Sequence, residues 1–261
     1  MTARVTMDRW HRYAIDGEWV PGVTSVIGVL DKPALVGWAA NEAAAYAATH
    51  LDEVEVRGVD AWIKDVAGAS RRAGAAGAKR GKDLHKLSES LVYGNPLPDT
   101  DEKGDPWDAE VYAMAGQLAR WFDAFEVEPV IHEAIVFNED DRWCGTLDLI
   151  GDLNDRHRWL LDYKTTQSGV WPENALQLAA YRHATHVQVG DHVQLMPDVD
   201  GAGVVWIRPD RFELVPVTTD RWVYDAFRAC LPLWAWTKVD RDALILPPVI
   251  PPAREEEAVS S

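Results

Sequence analysis

The sequence predicts an α/β domain, and three observations lead to that class. Short apolar runs separated by polar turns span 131–163 and predict an antiparallel meander. A second pair of such runs, at 203–207 and 212–217, surrounds a Pro-Asp turn. Stretches with helical periodicity lie between and around these strands. The chain has 261 residues, of which 47% are hydrophobic, so it is long enough to bury a sizeable core.

The N-terminal part of the chain, 10–50, predicts a small β unit followed by a helix. An Asp-Gly pair at 16–17 and a Pro-Gly pair at 21–22 are expected to form tight turns between short strands. Pro33 is expected to begin an alanine-rich helix, because its fixed φ suits the first helical position. Trp38 on this helix is expected to lie in the core.

The region 57–93 is predicted to be helical and basic, but its middle contains four glycines. Eight basic and three acidic residues lie between Arg57 and Lys86, in a chain whose net charge is -16. Each glycine inside a helix costs about 0.5–1 kcal/mol relative to alanine, so the middle is expected to be a loop or a mobile helix. Ala76 and Asp83 stand where a P-loop needs Gly and Ser or Thr, which excludes an NTPase. The glycines are Gly68, Gly74, Gly77 and Gly81.

A further helix is predicted to begin at Asp105 and Pro106, where Asp is a good cap and Pro fits the first turn. The acidic loop before it, 96–105, is expected to form a solvated turn rather than a metal site. Pro129 lies beyond the end of this helix.

The C-terminal part of the chain predicts two more helices and a tail. Pro172 is expected to begin one helix, and Thr219 is expected to cap a final helix at 219–237. The tail at 247–261 is rich in proline and then acidic, so it is expected to be unstructured. A single domain is therefore expected over 1–246.

Composition limits the cellular setting. Cys144 and Cys230 are the only cysteines, so neither a disulfide framework nor a four-cysteine metal or iron-sulfur site is possible. The N-terminus lacks the apolar segment of a secretion signal, and no run of about 18 apolar residues occurs. We expect a cytoplasmic protein with no membrane partner.

Three charged residues on two predicted strands suit phosphodiester hydrolysis. Asp162 and Lys164 are two apart on a strand and therefore share a face. The polar connection 152–157 predicts a hairpin that brings Asp148 beside Asp162. Paired carboxylates bind a hard divalent cation, which lowers the pKa of a bound water. A surface salt bridge is the alternative, but the apolar frame W-L-L-D-Y-K predicts a strand buried on both faces.

The ordered segments G-T-L-D-L-I, L-L-D-Y-K-T-T and Q-L-A-A-Y closely resemble the catalytic motifs of PD-(D/E)xK nucleases of the RecB-like group. The upstream segment G-K-D-L-H matches the G-x-x-x-H motif of the same group. The segment V-P-G-V-T-S-V-I-G-V-L is similar to the N-terminal region of phage and mitochondrial-type exonucleases. The resemblance implies a restriction-endonuclease-like core at 130–217, in which helices flank a central mixed β-sheet, with a helical N-terminal elaboration.

The resemblance implies roles for individual residues. Asp148 and Asp162 match the metal-binding acids, and Lys164 matches the residue that positions the attacking water. His85 matches a histidine ligand, and the backbone carbonyl of Tyr163 is a further expected ligand. The ion is expected to be Mg²⁺, or Mn²⁺ because imidazole is a softer donor than carboxylate. The two cysteines exclude the iron-sulfur cluster of some relatives.

Other residues are expected to surround the reacting centre. Gln177 and Tyr181 are four apart on one helix face, so both are expected to lie over the active site, unless they only pack there. Glu133 is either a supporting acid or a surface residue at a strand end. Trp62 and Trp171 are candidates for stacking on bases. The expected DNA-binding residues are Arg71, Arg72, Lys79, Arg80 and Lys82.

The function that follows from the resemblance is a metal-dependent DNA exonuclease that leaves 5′-phosphates and acts on ends or single strands. Its expected setting is DNA recombination or repair in a bacterial cell or a phage-infected host. A single-strand annealing or recombination protein is an expected partner, and a homo-oligomer is possible. A non-catalytic DNA-binding or assembly module, a structure-specific endonuclease and a nuclease acting on RNA stay open as alternatives.

Overall fold

The computed structural model describes residues 4–154 and 156–249. Two β-sheets and eight helices lie within these residues. In chain order the elements are β1 (Val5–Met7), β2 (Tyr13–Ile15), β3 (Glu18–Val20), α1 (Val23–Ile27), α2 (Pro33–Thr49), α3 (Glu53–Arg57), α4 (Val59–Val92), α5 (Ala109–Ala124), β4 (Glu128–Asn138), β5 (Trp143–Asp152), β6 (Arg158–Lys164), α6 (Pro172–Arg182), β7 (His186–Val189), β8 (His192–Leu195), β9 (Gly201–Ile207), β10 (Phe212–Pro216), α7 (Arg221–Trp236) and α8 (Arg241–Leu244).

The larger sheet is mixed and has seven strands in the order β10-β9-β6-β5-β4-β7-β8. Strands β6 and β9 are parallel, and the other neighbouring pairs are antiparallel. Strands β4, β5 and β6 form the predicted meander, and all three are longer than predicted. Strands β7 and β8 are short and polar, and the sequence did not predict them.

Helices cover both faces of this sheet, which confirms the α/β class. On one face, α1, α6 and α7 pack against apolar side chains of the strands, including Ile150 and Leu160. On the other face, α5 and the C-terminal end of α4 pack against Leu149, Leu161 and Tyr163. The alternation along β5 and β6 therefore supplies one buried layer to each side of the sheet.

The small sheet of β1, β2 and β3 lies beside β4 and β5. Asp16 and Gly17 join β2 to β3, and their φ angles of 52° and 84° are those of a two-residue hairpin turn, so the predicted turn is confirmed. Cys144 of β5 donates its backbone N–H to the carbonyl of Pro21 at 3.0 Å. This contact holds the N-terminal segment against one end of the large sheet.

Helix α4 is continuous for 34 residues, so of the two alternatives at its glycines the loop is wrong and the segment is helical. Helix α2 packs along its N-terminal half and α5 along its C-terminal half, and these contacts offset the low helix propensity of glycine. Trp38 was predicted to be in the core, but its side chain is 38% exposed. It lies against Gly74, at which an added Cβ would be 3.7 Å from the Trp38 ring.

Two predicted helix starts are wrong. Helix α5 begins at Ala109, and the Asp108 carboxylate accepts from the N–H groups of Glu110 and Val111. Asp105 instead donates its N–H to Asp101, whose carboxylate closes the solvated turn predicted for the acidic loop.

At the other predicted start, Asp220 is the N-cap residue of α7. Thr219 is buried, and its hydroxyl accepts from Arg182 at 3.0 Å. Helix α6 does begin at Pro172, as predicted. Most of the tail predicted to be unstructured, 250–261, lies outside the described residues.

None of the helices in the described part of the chain is long and apolar enough to cross a membrane. The expected domain boundary near 246 and the cytoplasmic location stay predictions.

Candidate active site

A cleft of about 300 Å³ lies between the small sheet, α1, α4, α6 and the centre of the large sheet. It contains the two acids and the lysine that the sequence singled out. It is lined by His11, Tyr13, Gly22, Thr24, Ser25, His85, Thr146, Asp148, Asp162, Lys164, Gln177 and Tyr181.

The hairpin of β5 and β6 places the two acids side by side. Its register pairs Leu149 with Leu161, so Asp148 and Asp162 are the next opposing positions. Asp148 is 8% exposed, and its Oδ2 accepts the backbone N–H of Tyr163 at 2.7 Å. The carboxylate therefore takes a hydrogen bond from the neighbouring strand, which fixes its orientation.

Asp162 is 2% exposed and is held by two side chains. Its Oδ1 accepts from Gln177 Nε2 at 3.0 Å. Lys164 Nζ lies 2.5 Å from its Oδ2, and this ion pair confirms that the two residues share a face of β6. This Oδ2 is buried, and the Lys164 ammonium is its partner, with no further hydrogen bond from the described residues.

Helix α4 adds a histidine to the acids. His85 Nδ1 lies 3.1 Å from Glu133 Oε1 and 3.7 Å from Asp148 Oδ1. Ligand atoms of these three residues all lie within 4.8 Å of one another, close enough to hold one ion. Oxygen donors with one imidazole suit Mg²⁺ or Mn²⁺. The residues present therefore fit the expected metal. Asp162 is outside this group of three, and its Oδ2 is paired with Lys164.

Glu133 reaches this group through an irregular strand. His132 pairs with Leu149 and Ala134 with Leu147, so Glu133 lies opposite Asp148. Its φ of 46° is in the left-handed region, which is unfavourable for a side chain on a β-strand. Such strain persists only where the surroundings enforce it, and it is common at functional sites. The sequence left Glu133 undecided, and the structure places it in hydrogen-bond contact with His85.

The charges in the cleft shift one another's pKa values. Burial raises the pKa of Asp148 to about 7, and nearby Asp162 adds to the shift while His85 opposes it. Burial would lower the pKa of His85, but Asp148 and Glu133 outweigh it and raise that pKa to about 9. For Lys164, burial is likewise outweighed by Asp162 and Asp148, so its pKa lies above the ordinary value. Lys164 is therefore a cation near neutral pH.

Helix α6 covers the acids with the two residues that the sequence placed on one face. Gln177 Nε2 donates to Asp162 and also lies 3.3 Å from the Tyr181 hydroxyl. The ring of Tyr181 packs against Gly145 so closely that a Cβ there would collide with it. This contact explains the glycine of the G-T-L-D-L-I segment, because any residue with a Cβ at position 145 would occupy the space of the Tyr181 ring.

The side chain of Tyr163 points away from the acids, as the strand period predicts. It packs in the core with Trp121, and its ring centroid lies 5.8 Å from that of His85. The expected role of its backbone carbonyl as a metal ligand stays a prediction.

The five basic residues of α4 are outside the cleft and differ in their partners. The Arg72 guanidinium lies over the Tyr46 ring at 4.8 Å, and Arg80 lies 3.7 Å from Glu110. Lys79 pairs with Asp83 at 2.6 Å. The remaining two, Arg71 and Lys82, are exposed and have no ion pair within the described part of the chain.

The two tryptophans proposed to stack on bases also differ. Trp171 is 42% exposed at the start of α6, and its indole N–H donates to the Ser168 hydroxyl. The indole nitrogen of Trp62 is buried. Trp62 is therefore less suited to contact a base than Trp171.

Sequence reasoning missed the wall of the cleft formed by the small sheet and α1. Tyr13 and Thr146 share a hydrogen bond of 2.9 Å between their hydroxyls, and Thr24 and Ser25 lie nearby in the lining. The only available signal was the V-P-G-V-T-S segment, which resembled relatives but suggested no role. His11 gave no signal, because it reaches the cleft only through the tertiary fold.

The sequence matches no protein-family model and no curated protein sequence. A cleft with two adjacent buried carboxylates, a histidine, a third acid and a half-buried lysine is suited to metal-assisted attack of water on a phosphate ester.

Proposed function

We propose that this chain is a divalent-metal-dependent DNA exonuclease with the PD-(D/E)xK core of the RecB-like group. The observation that carries the proposal is the convergence of His85, Asp148, Asp162, Lys164 and Gln177 in one cleft. These residues are scattered over more than ninety positions of the sequence, and the resemblance named all of them. A surface salt bridge would not require five such residues to meet around two buried carboxylates.

Asp148, Asp162 and His85 would hold the metal ion, with Glu133 as a further donor or as the partner that orients the His85 ring. A bound Mg²⁺ or Mn²⁺ supplies Lewis-acid activation of the phosphate and lowers the pKa of a coordinated water. His85 must release its proton before it can coordinate, because only the neutral imidazole is a ligand.

Lys164 acts as a fixed cation. Its ammonium is anchored by Asp162, so it can donate a hydrogen bond to the attacking water and stabilise negative charge that develops on the phosphate. Gln177 holds the other oxygen of Asp162 and thereby limits rotation of that carboxylate. Attack of the water on phosphorus breaks the bond to the 3′ oxygen and leaves a 5′-phosphate on the released product.

The finer parts of the proposal rest on the resemblance. They are action from DNA ends or on single strands, a role in recombination or repair in a bacterial or phage-infected cell, and cooperation with an annealing or recombination protein. The basic face of α4 supports a nucleic-acid substrate in spite of the net charge of -16.

The test is digestion of end-labelled linear DNA and of a circular control by the purified protein, with Mg²⁺, with Mn²⁺ and with EDTA. We expect nucleotides to be released from linear DNA only with metal, and circular DNA to be resistant. The variants D162N and K164A should each lower the rate by on the order of 10²–10³-fold or more. Full activity in either variant, or in EDTA, would contradict the proposal. DNA binding by the wild type without any hydrolysis would favour the non-catalytic module instead.

A further inference from the structure

The basic residues of α4 separate into two groups when they are placed around the helix axis. Each residue advances by about 100°, so positions 64, 71 and 82 fall within about 20° of one another. Lys64, Arg71 and Lys82 therefore form one row, which we call the α4 ridge, and all three side chains are exposed. The row lies about 40–60° around the axis from His85.

No acidic side chain among the described residues forms an ion pair with the α4 ridge. None of its three cations forms an ion pair within 4–154 and 156–249. The acids nearest in sequence lie on another side of the helix, where Asp65 pairs with Arg57 at 2.7 Å and Asp83 pairs with Lys79 at 2.6 Å. Three cations in a row with their charges uncompensated are unusual in a chain that carries 42 acidic and 26 basic residues.

Small side chains separate the cations of the α4 ridge. Ala67, Ala75 and Ala78 occupy the same side of the helix between them. An extended backbone can therefore approach the helix closely between one charge and the next. Asp60 and Glu89 bound the ridge at its two ends, so the uncompensated charge is confined to this stretch.

The dimensions of the α4 ridge match a nucleic-acid strand. The 18 steps along the helix from position 64 to position 82 span about 27 Å at about 1.5 Å per residue. A stacked strand rises about 3.4 Å per nucleotide, so the ridge covers about eight nucleotides. Lys82 is less than one helical turn from His85, so one end of the row adjoins the cleft.

We infer that the α4 ridge is the track on which one DNA strand approaches the cleft, held through its phosphates by Lys64, Arg71 and Lys82. A single row of cations matches one phosphate backbone, which favours a single strand over a duplex. Arg72, Lys79 and Arg80 support the helix through their contacts with other residues and do not belong to the track. The inference deepens the proposed function and rests on it, because it takes DNA to be the substrate.

The test measures binding of a fluorescent 16-nucleotide single strand by anisotropy, in EDTA, over a series of salt concentrations. Each phosphate contact contributes about 0.7 to the slope of log K against log salt for a single strand. We expect K82Q and R71Q each to lower the slope by about 0.7, and the triple variant with K64Q to lower it by about 2. The matched control is K79Q, which removes the same charge three residues from Lys82 and should leave the slope unchanged.

An unchanged slope in the triple variant, or an equal loss in K79Q, would overturn the inference. Tighter binding of a duplex of the same length would overturn the assignment to a single strand. Far-UV circular dichroism and thermal unfolding check that the exposed substitutions leave the fold intact. Because EDTA prevents hydrolysis, the outcome is independent of the nuclease assay. If the triple variant lowers the slope but the wild type shows no metal-dependent cleavage, only the proposed nuclease function is contradicted. If cleavage occurs but the slope is unchanged in the triple variant, only the role of the α4 ridge is contradicted.

Discussion

Strands β5 and β6 around Asp148 and Asp162 bury 8 of 10 and 4 of 7 residues, whereas α2, which packs along the helix that carries His85, buries none. Leu35 and Val36 on α2 are 54% and 71% exposed. The acids are thus fixed by a packed sheet with helices on both faces. His85 is near the C-terminal end of α4, where that helix enters the same core through Leu84 and Leu87.

The sheet and the N-terminal half of α4 are therefore expected to differ in local stability. Few buried contacts hold the N-terminal half of α4 and the helices around it, so this region should open at a lower free energy than the sheet. The proposed metal site would take its carboxylates from the sheet and its imidazole from α4, and would thereby join the two regions. Changes in the sheet should therefore affect stability strongly, and comparable changes in the exposed part of α4 should affect it weakly.

The largest expected effect on stability is at Asp148 in the metal-free protein. Its pKa is raised to about 7 from an ordinary value of 3.8, so the unfolded chain loses this proton at a lower pH than the folded chain. Stability therefore falls as the pH rises from about 4 to about 7. The variant D148N keeps an acceptor for the Tyr163 N–H and removes the buried charge. We expect the free energy of unfolding of D148N to exceed that of the wild type by about 1–4 kcal/mol at pH 7 and to be almost the same near pH 4.

Urea unfolding in EDTA at the two pH values measures this difference. Excess Mn²⁺ should reverse the order at pH 7, because only the wild type keeps the full set of metal ligands. A gain that is equal at both pH values would contradict the assignment of the cost to the ionised carboxylate.

A smaller loss is expected from G145A in the sheet. The added Cβ would collide with the buried ring of Tyr181, and neither β5 nor α6 can move without disturbing the core. We expect a loss of about 1–3 kcal/mol, as for overpacking of a core, with the midpoint of urea unfolding as the readout. A neutral effect would show that the contact between α6 and β5 is looser than the structure indicates.

The same substitution in α4 should have the opposite sign. An added Cβ at Gly77 has no atom within 4 Å outside its own helix turn, and the residue is within a continuous helix. Replacing glycine by alanine at such a position is worth about 0.5–1 kcal/mol, so G77A should stabilise the protein by that amount. Destabilisation would indicate that this part of α4 is not helical in solution.

The sheet and its acids were predictable because local pattern decides them. The period of two placed Asp162 and Lys164 on one face, and the polar connection between β5 and β6 predicted the hairpin that aligns Asp148. The helix at Pro172 followed from its first residue. In each case the residues that carry the sequence pattern lie within about twenty positions of the residues whose structure the pattern predicts.

What was missed depends on tertiary contacts. The glycines of α4 predicted a loop or a mobile helix, and packing by neighbouring elements, mainly α2 and α5, supports the continuous helix. Trp38 looked like a core residue, yet its helix packs against α4 on one side and has no fully buried residue. His11 enters the cleft because the small sheet docks beside β5, and no sequence pattern encodes that docking. The strained φ of Glu133 was equally unpredictable.

The central claim is that the helical region and the sheet share one metal ion. Calorimetric titration with Mn²⁺ tests it most directly, by comparing the wild type with H85A and with H192A, a control histidine that is exposed on β8. We predict one tight site in the wild type and in H192A, and an affinity at least about tenfold weaker in H85A, which is about 1.4 kcal/mol. Equal affinity in all three proteins, or no binding by the wild type, would contradict the claim.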